Sequence, residues 1–360
     1  MKFRPRIPRS PWTRLAIFLA FLCGVGALLW WHGPKWSDFG DAFTTVRWEW
    51  VAAAVGLNLL SIVARAAAWE QVIKSAMPAP HPKSALVFAA FCVGLLANAV
   101  LPGRVGELAR VAVLTRRMNG RKGLWPTLVG TVFAHRVFDL VPVAFLVIYV
   151  LVTAKIPGWA FTSLAVVLSI GVGLFLFAFA SARYHSKTRL EGMGSAKRIL
   201  TMARLGLGVM RRPAAAALAM LGQTAGWTCQ LFAVWAAMRA FEINRGVPAA
   251  ALVLLLMNVA TIVPLWPGNV GLVQVAVATP LKQYSVAYGR GIAFGFGLQA
   301  IEASVGVCIG LIFLAREGLS FARLREMPGA VSADQEGRSA QQAEAEEDSR
   351  RETAGARVPG

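Results

Sequence analysis

The chain has 360 residues, of which 56% are hydrophobic and only 15% charged, and its net charge is +19. A soluble domain this apolar, with a mean hydropathy of +0.56, lacks the polar surface needed to stay dispersed. In a soluble nucleic-acid-binding domain the basic residues follow one exposed face, whereas here they sit between apolar runs, which suits lipid headgroups and membrane topology instead.

The first apolar run, residues 13 to 31, follows a basic N-terminus (1–12) containing Lys2, Arg4, Arg6 and Arg9, with Arg14 just inside the run. Trp30-Trp31 stands where a cleaved signal would need small residues, so the run reads as a retained helix entering from the cytoplasm. Further runs cover about 50–73, 84–101, 126–153 and 160–181, then 213–240, 249–285 and 291–315. Between the two groups lies a polar segment, 182–212, with eight Lys/Arg and one Glu. Residues 316–360 hold seven Arg/Lys against nine Asp/Glu. With their low hydrophobicity they read as a disordered cytoplasmic tail, and the acidic run Glu344 to Asp348 as solvating. Cys23, Cys92, Cys229 and Cys308 lie singly in different runs, with no metal or redox spacing, and read as small apolar residues.

A five-residue motif occurs twice inside apolar sequence, as Pro102-Gly103-Arg104-Val105-Gly106 and as Pro267-Gly268-Asn269-Val270-Gly271. A Pro-Gly pair frees backbone groups that have no water to bond in a bilayer, so such breaks belong where the chain lines a site or cavity. The alternative is chance recurrence in a Gly- and Ala-rich chain. If every run crossed the membrane, the basic stretch 104–122 would fall outside, against the positive-inside rule. Turning 84–117 back at Pro102-Gly103 makes every strongly basic segment cytoplasmic. Dipping 249–285 from the outer side leaves 32–49, 154–159 and 241–248 outside. The predicted fold is therefore an all-α polytopic membrane protein with about six spanning helices and two re-entrant helical hairpins in an inverted repeat. Both termini are then on the cytoplasmic side of the cell inner membrane.

Ionisable residues within these runs point to function. Arg65, Glu70, Glu107, Arg110, Arg136, Asp139 and Glu302 each sit where a charge costs about 2.5–3.5 kcal/mol, so they should face the protein interior or a wet cavity. Arg136 with Asp139, and Glu107 with Arg110, are three apart and suit local pairs. Arg65 and Glu302 are expected to find partners on other helices. Such pairs serve packing as well as substrate binding. After each break the new helix N-terminus, near Arg104 and near Asn269, would offer amide donors and a positive dipole end to a phosphate or carboxylate. Glu107 also suits a simpler role, offsetting that dipole.

The string Asn98 to Glu107 followed by Arg110 resembles the Leu-Pro-x-Arg-x-Gly-Glu signature of the lysylphosphatidylglycerol synthase transmembrane-domain family, described as flippase-like. Arg136-x-x-Asp139 is similar to its Glu-Arg-x-x-Asp pattern, and Pro264-x-x-Pro267-Gly268-x-x-Gly271 to its second break. The resemblance covers nearly all of residues 10–315 and implies binding or translocation of an anionic or isoprenoid-linked lipid. The site residues it and the charges together single out are Asn98, Pro102, Gly103, Arg104, Gly106, Glu107, Arg110, Arg136, Asp139, Pro267, Gly268, Asn269, Gly271, Gln274, Arg65 and Glu302. Two positions depart from the family: His135 and Gln274 stand where Glu is usual, which removes two negative charges. The simplest reading of His135 is a neutral, hydrogen-bonded ring, and of Gln274 an interhelical hydrogen bond.

Some family members carry a soluble aminoacyl transferase, and the 45 residues after 315 are expected to be too few for one. No Gly-x-Ser-x-Gly, His-Glu-x-x-His or phosphate loop occurs, and His32, His81, His135 and His185 are dispersed. The expectation is a lipid transporter that uses no cofactor or metal and no nucleic acid. The alternatives are an intramembrane transferase acting through Glu107, Asp139 or Glu302, and a lipid-binding scaffold for a lipid-modifying enzyme.

Overall fold

The computed structural model describes residues 36–101, 105–118, 124–156, 158–183, 209, 212–262 and 267–316. The run 13–31, the break residues Pro102, Gly103 and Arg104, most of the basic segment 182–212 and the tail beyond 316 lie outside these. The described residues form ten helices and no strand: α1 (Trp36–Thr44), α2 (Trp48–Ala76), α3 (Ser84–Val100), α4 (Gly106–Arg117), α5 (Leu124–Thr153), α6 (Gly158–Arg183), α7 (Pro213–Ala240), α8 (Val247–Ala260), α9 (Leu272–Leu281) and α10 (Tyr288–Arg316).

Among the described residues, four helices are long and apolar enough to cross a membrane, at Trp48–Ala76, Leu124–Thr153, Ala160–Phe177 and Tyr288–Phe313. Helix α7 has 28 residues, about 42 Å at 1.5 Å per residue, but Gln223, Thr224, Gln230 and Arg239 dilute its hydropathy. The arms around each break are shorter, 17 and 12 residues in α3 and α4, and 14 and 10 in α8 and α9. The predicted outer loop 32–49 contains a helix that the sequence reading missed. In α1, Phe39 and Phe43 pack edge-on against Phe296 and Phe241, with centroids 6.1 and 5.6 Å apart.

The helices on either side of each break pack against each other. Helix α4 returns beside α3, with Gly94 and Gly106 at the closest approach: a Cβ on Gly94 would lie 2.8 Å from the Gly106 carbonyl oxygen. Helix α9 returns along α8, burying Val273 and Val277 with Val253, Leu254 and Met257 in one apolar cluster.

The unit α2 to α5 has a counterpart in α7 to α10. The contacts α2·α3, α3·α4, α4·α5 and α2·α5 recur as α7·α8, α8·α9, α9·α10 and α7·α10; across the halves, α3·α10 mirrors α8·α5 and α2·α10 mirrors α7·α5. Corresponding residues lie 165 positions apart throughout, as in Pro102 and Pro267, Asn58 and Gln223, Arg65 and Gln230. Helices α2 and α7 form the most extensive contact, along an Ala- and Gly-rich seam. A Cβ on Gly222 would sit 3.0 Å from that of Ala68, and one on Gly226 2.6 Å from Arg65 Cγ. Without a hydrophobic drive between helices in lipid, such small-residue seams let backbones approach closely. Helix α10 does this twice, with Gly291 and Gly295 against Ala278 and Gln274 of α9, and Gly306 and Gly310 against Leu95, Leu96 and Cys92 of α3.

The connections gather at two ends. At one, Arg47 N donates to Ala240 O at 2.9 Å and Lys155 N to the Tyr284 hydroxyl at 2.8 Å, so the segments around 36–47, 154–156, 241–246 and 282–288 meet. At the other, Glu70 pairs with Lys74 at 2.6 Å and accepts from Ser84 at 2.8 Å. Glu70 is thereby committed to a local end-of-helix role. Among the described cysteines, Cys92 is buried but Cys308 is exposed, as an apolar residue on a lipid-facing surface is free to be.

Candidate functional site

The first break is held by an amide cap. Asn98 Oδ1 accepts from Gly106 N at 2.8 Å, joining the end of α3 to the start of α4. The next amides turn onto Val105 O, Leu108 N at 3.0 Å and Ala109 N at 2.9 Å. At the second break, Gln274 Oε1 accepts from Gly271 N at 2.5 Å and Asn269 Nδ2 donates to Ala260 O at 3.0 Å. Gly268 (φ 67°), Asn269 (φ 45°) and Gly271 (φ 94°) take the left-handed conformations that Gly and Asn tolerate. One leading amide at each break, Gly106 N and Gly271 N, is therefore satisfied within the protein.

Gln274 does make the predicted interhelical bond: its Nε2 donates to Gln299 Oε1 at 2.7 Å, and Gln299 Nε2 donates to Gly268 O. Gln299 was not singled out in the sequence. It closes a neutral amide lock over the second break, and the 3₁₀ turn Pro267–Asn269 packs against α3 of the first hairpin.

The charges assemble beside the first break. Both predicted local pairs form, Arg110 with Glu107 at 2.5 Å and Arg136 with Asp139 at 3.1 Å. A third, cross-helix pair joins them, Arg136 Nη2 to Glu107 Oε1. Asp139 Oδ1 also accepts from Gln223 Nε2 and Trp227 Nε1 of α7, each at 2.8 Å. Gln223 further donates to the His135 carbonyl at 3.2 Å, with the His135 ring Nε2 3.4 Å away. Asn58, the counterpart of Gln223, reaches the α10 carbonyls of Ile301 and Glu302 at 3.3 Å. The two central helices thus grip the two outer helices by equivalent amides.

Aromatic faces also pack against two of the guanidinium groups, those of Arg110 and Arg65. Arg110 is 3% exposed and lies over Trp69 at 4.5 Å and Phe91 at 5.3 Å. Trp69 is fixed by its Nε1 donation to Thr131 at 3.1 Å. Arg65 lies over Trp227 at 4.8 Å, in the space that Gly226 leaves open. Arg65 has no carboxylate within ion-pair distance among the described residues; Glu302, its expected kind of partner, accepts from Gln230 at 2.8 Å instead.

Besides Arg110 Nη2, which is ion-paired with Glu107, four buried polar atoms in this cluster have no hydrogen-bond partner among the described residues: Arg65 Nε, Arg110 Nε, His135 Nδ1 and Gln223 Oε1. Buried polar atoms are normally paired, so these four stand out among the described residues. Arg136 is the accessible member, its side chain 53% exposed. Predicted residues are thus brought together on three helices, Glu107 and Arg110 on α4, Arg136 and Asp139 on α5, and Arg65 on α2. Glu302 is tied to α7 through Gln230, and Gly271 and Gln274 belong to the separate amide lock.

These helices, with a charged cluster enclosed between them, define a multi-pass helical membrane protein. The chain matches the lysylphosphatidylglycerol synthase TM region over residues 13–310 and belongs to that family. A search of curated proteins found no match.

Proposed function

We propose that this protein binds the anionic headgroup of a membrane lipid, phospholipid or polyprenyl-linked, at the arginine cluster and carries it across the cell inner membrane. The observation that carries this reading is the imbalance beside the first break. Among the described residues, Arg110 and Arg136 pair with Glu107 and Asp139, Arg65 has no carboxylate within ion-pair distance, and Arg65 and Arg110 each keep a buried Nε without an acceptor. A charge at bilayer depth is retained for substrate passage or pairing, and an arginine fork suits phosphate oxygens. Arg136 is the exposed first contact, while Arg110 and Arg65 lie deeper. In this reading Asn98, Gly106, Gln274, Asn269, Gly268, Gly271 and Pro267 shape the two breaks, and Pro102, Gly103 and Arg104 complete the first.

The carboxylates favour transport over transfer chemistry. Glu107 gives one oxygen to each of two arginines, and Asp139 accepts from Arg136, Gln223 and Trp227. A general base needs a free lone pair near its substrate. Any lipid-modifying enzyme would then act as a partner on the cytoplasmic side.

Six spans with two re-entrant hairpins entering from opposite faces remain the topology we favour. The repeated packing supports it, as does the meeting of the outer segments at one end of the fold. Single cysteines at two exposed positions, Arg116→Cys and Ala287→Cys, should label from opposite sides in sealed vesicles; labelling from one side would overturn this topology.

Function itself is tested by reconstitution. Arg65→Gln removes a guanidinium that forms no ion pair among the described residues, so folding is expected to hold while translocation of a fluorescent phosphatidylglycerol falls at least tenfold. Unchanged translocation, or a covalently altered lipid product from the wild type, would overturn the transport reading.

A further inference from the structure

A second set of charges lies at the end of the molecule where α1 meets the α7–α8 and α9–α10 connections. There a cavity of about 430 Å³ is lined by Asp38 and Asp41 of α1, Glu242 and Arg245 of the α7–α8 connection, and Arg290 in the first turn of α10. That volume lies within the range of small-ligand sites. None of these five side chains has an ion pair or side-chain hydrogen bond among the described residues. Opposite charges brought to one cavity by three separate segments ordinarily close on each other; here they stand apart around open space. Glu242 (φ 58°) and Ser285 (φ 57°), both on its lining, hold left-handed backbone conformations that are uncommon for such residues. The floor is firm, since Ile243 is buried and Phe241 beside it packs on Phe294 at 5.8 Å.

We propose that this cavity is a second binding site, for a zwitterionic headgroup carrying a primary ammonium and a phosphate within one small molecule. The carboxylates of Asp38, Asp41 and Glu242 suit the ammonium, and the guanidinium groups of Arg245 and Arg290 suit the phosphate. Three carboxylates alone would suit a simple cation and two arginines alone a simple anion; the mixture suits one ligand that carries both charges. The site shares no residue with the arginine cluster, so it stands or falls separately from lipid translocation. The source of the headgroup, a membrane lipid or a free glycerophosphodiester, is separated by the test.

The probe is glycerophosphoethanolamine, titrated by calorimetry against the full-length protein in detergent, with ethanolamine and glycerophosphate as half-ligands. The expected result is saturable binding at least tenfold tighter than either half-ligand, weakened at least tenfold by Asp38→Asn and by Arg290→Gln. Both positions are solvent-accessible, and an unchanged melting temperature certifies that the variants fold. In nanodiscs of phosphatidylethanolamine and phosphatidylglycerol, native mass spectrometry then assigns the source. Arg290-dependent retention of phosphatidylethanolamine identifies a lipid, and its absence alongside binding of the soluble probe identifies a free ligand. No binding of the probe, binding unaffected by both substitutions, or equal binding of ethanolamine alone would overturn the proposal.

Discussion

Glu107→Gln is expected to destabilise the protein by about 3 kcal/mol, because it strips two arginines of their shared counter-charge. Breaking a buried pair by removing one partner costs about 3–5 kcal/mol, since the charge left behind remains desolvated. The lower end applies here. Arg110 is almost wholly buried, but Arg136 is half exposed and keeps Asp139. Arg136→Gln in the same background should cost less than the two single substitutions summed, as expected for groups in one network. Thermal unfolding in detergent measures all three proteins, and strict additivity would show that the Glu107–Arg136 bridge contributes no coupling.

Arg110→Lys is expected to lower lipid translocation at least tenfold while leaving the protein folded. Lysine keeps the positive charge and can still reach Glu107. It loses the planar face stacked on Trp69 and Phe91 and the second nitrogen that a phosphate would engage. Translocation by this variant at the wild-type rate in vesicles would mean that charge alone suffices and that the guanidinium geometry is incidental.

Much of the framework was legible because it is written in local sequence. The two Pro-Gly breaks, the helices flanking them, and the local pairs Arg136–Asp139 and Glu107–Arg110 all follow from spacing along one helix. What spacing does not reveal is which faces of different helices meet. In a bilayer the helices are apolar around most of their circumference, so periodicity does not mark an inward side. That is why the bridge from Glu107 to Arg136, 29 residues away, and the grip of Gln223 and Trp227 on Asp139 emerged only in three dimensions. A usable signal was present: at the 165-residue offset of the two breaks, Asn58 aligns with Gln223 and Arg65 with Gln230, two polar pairs in otherwise apolar helices. Helix α1 was missed because its nine residues are too few for a clear pattern and are stabilised by aromatic packing on α10 and the end of α7. At the expected helix ends, the side-chain oxygens of Asn98 and Gln274 each cap one amide, Gly106 N and Gly271 N, a detail that spacing did not reveal.

The asymmetry between the two breaks has a physical meaning. The first is ringed by charges, and the second is locked by the uncharged Gln274–Gln299–Gly268 chain. Among the described residues, the two halves thus share a backbone plan but not an electrostatic one.

The most direct measurement is mass spectrometry of the lipid retained by purified wild-type protein, set beside Arg65→Gln and Arg110→Lys prepared identically. A phosphate-bearing lipid held at about one per protein in the wild type and lost from both variants is the predicted result. Equal retention in all three proteins would contradict a headgroup site at the arginine cluster.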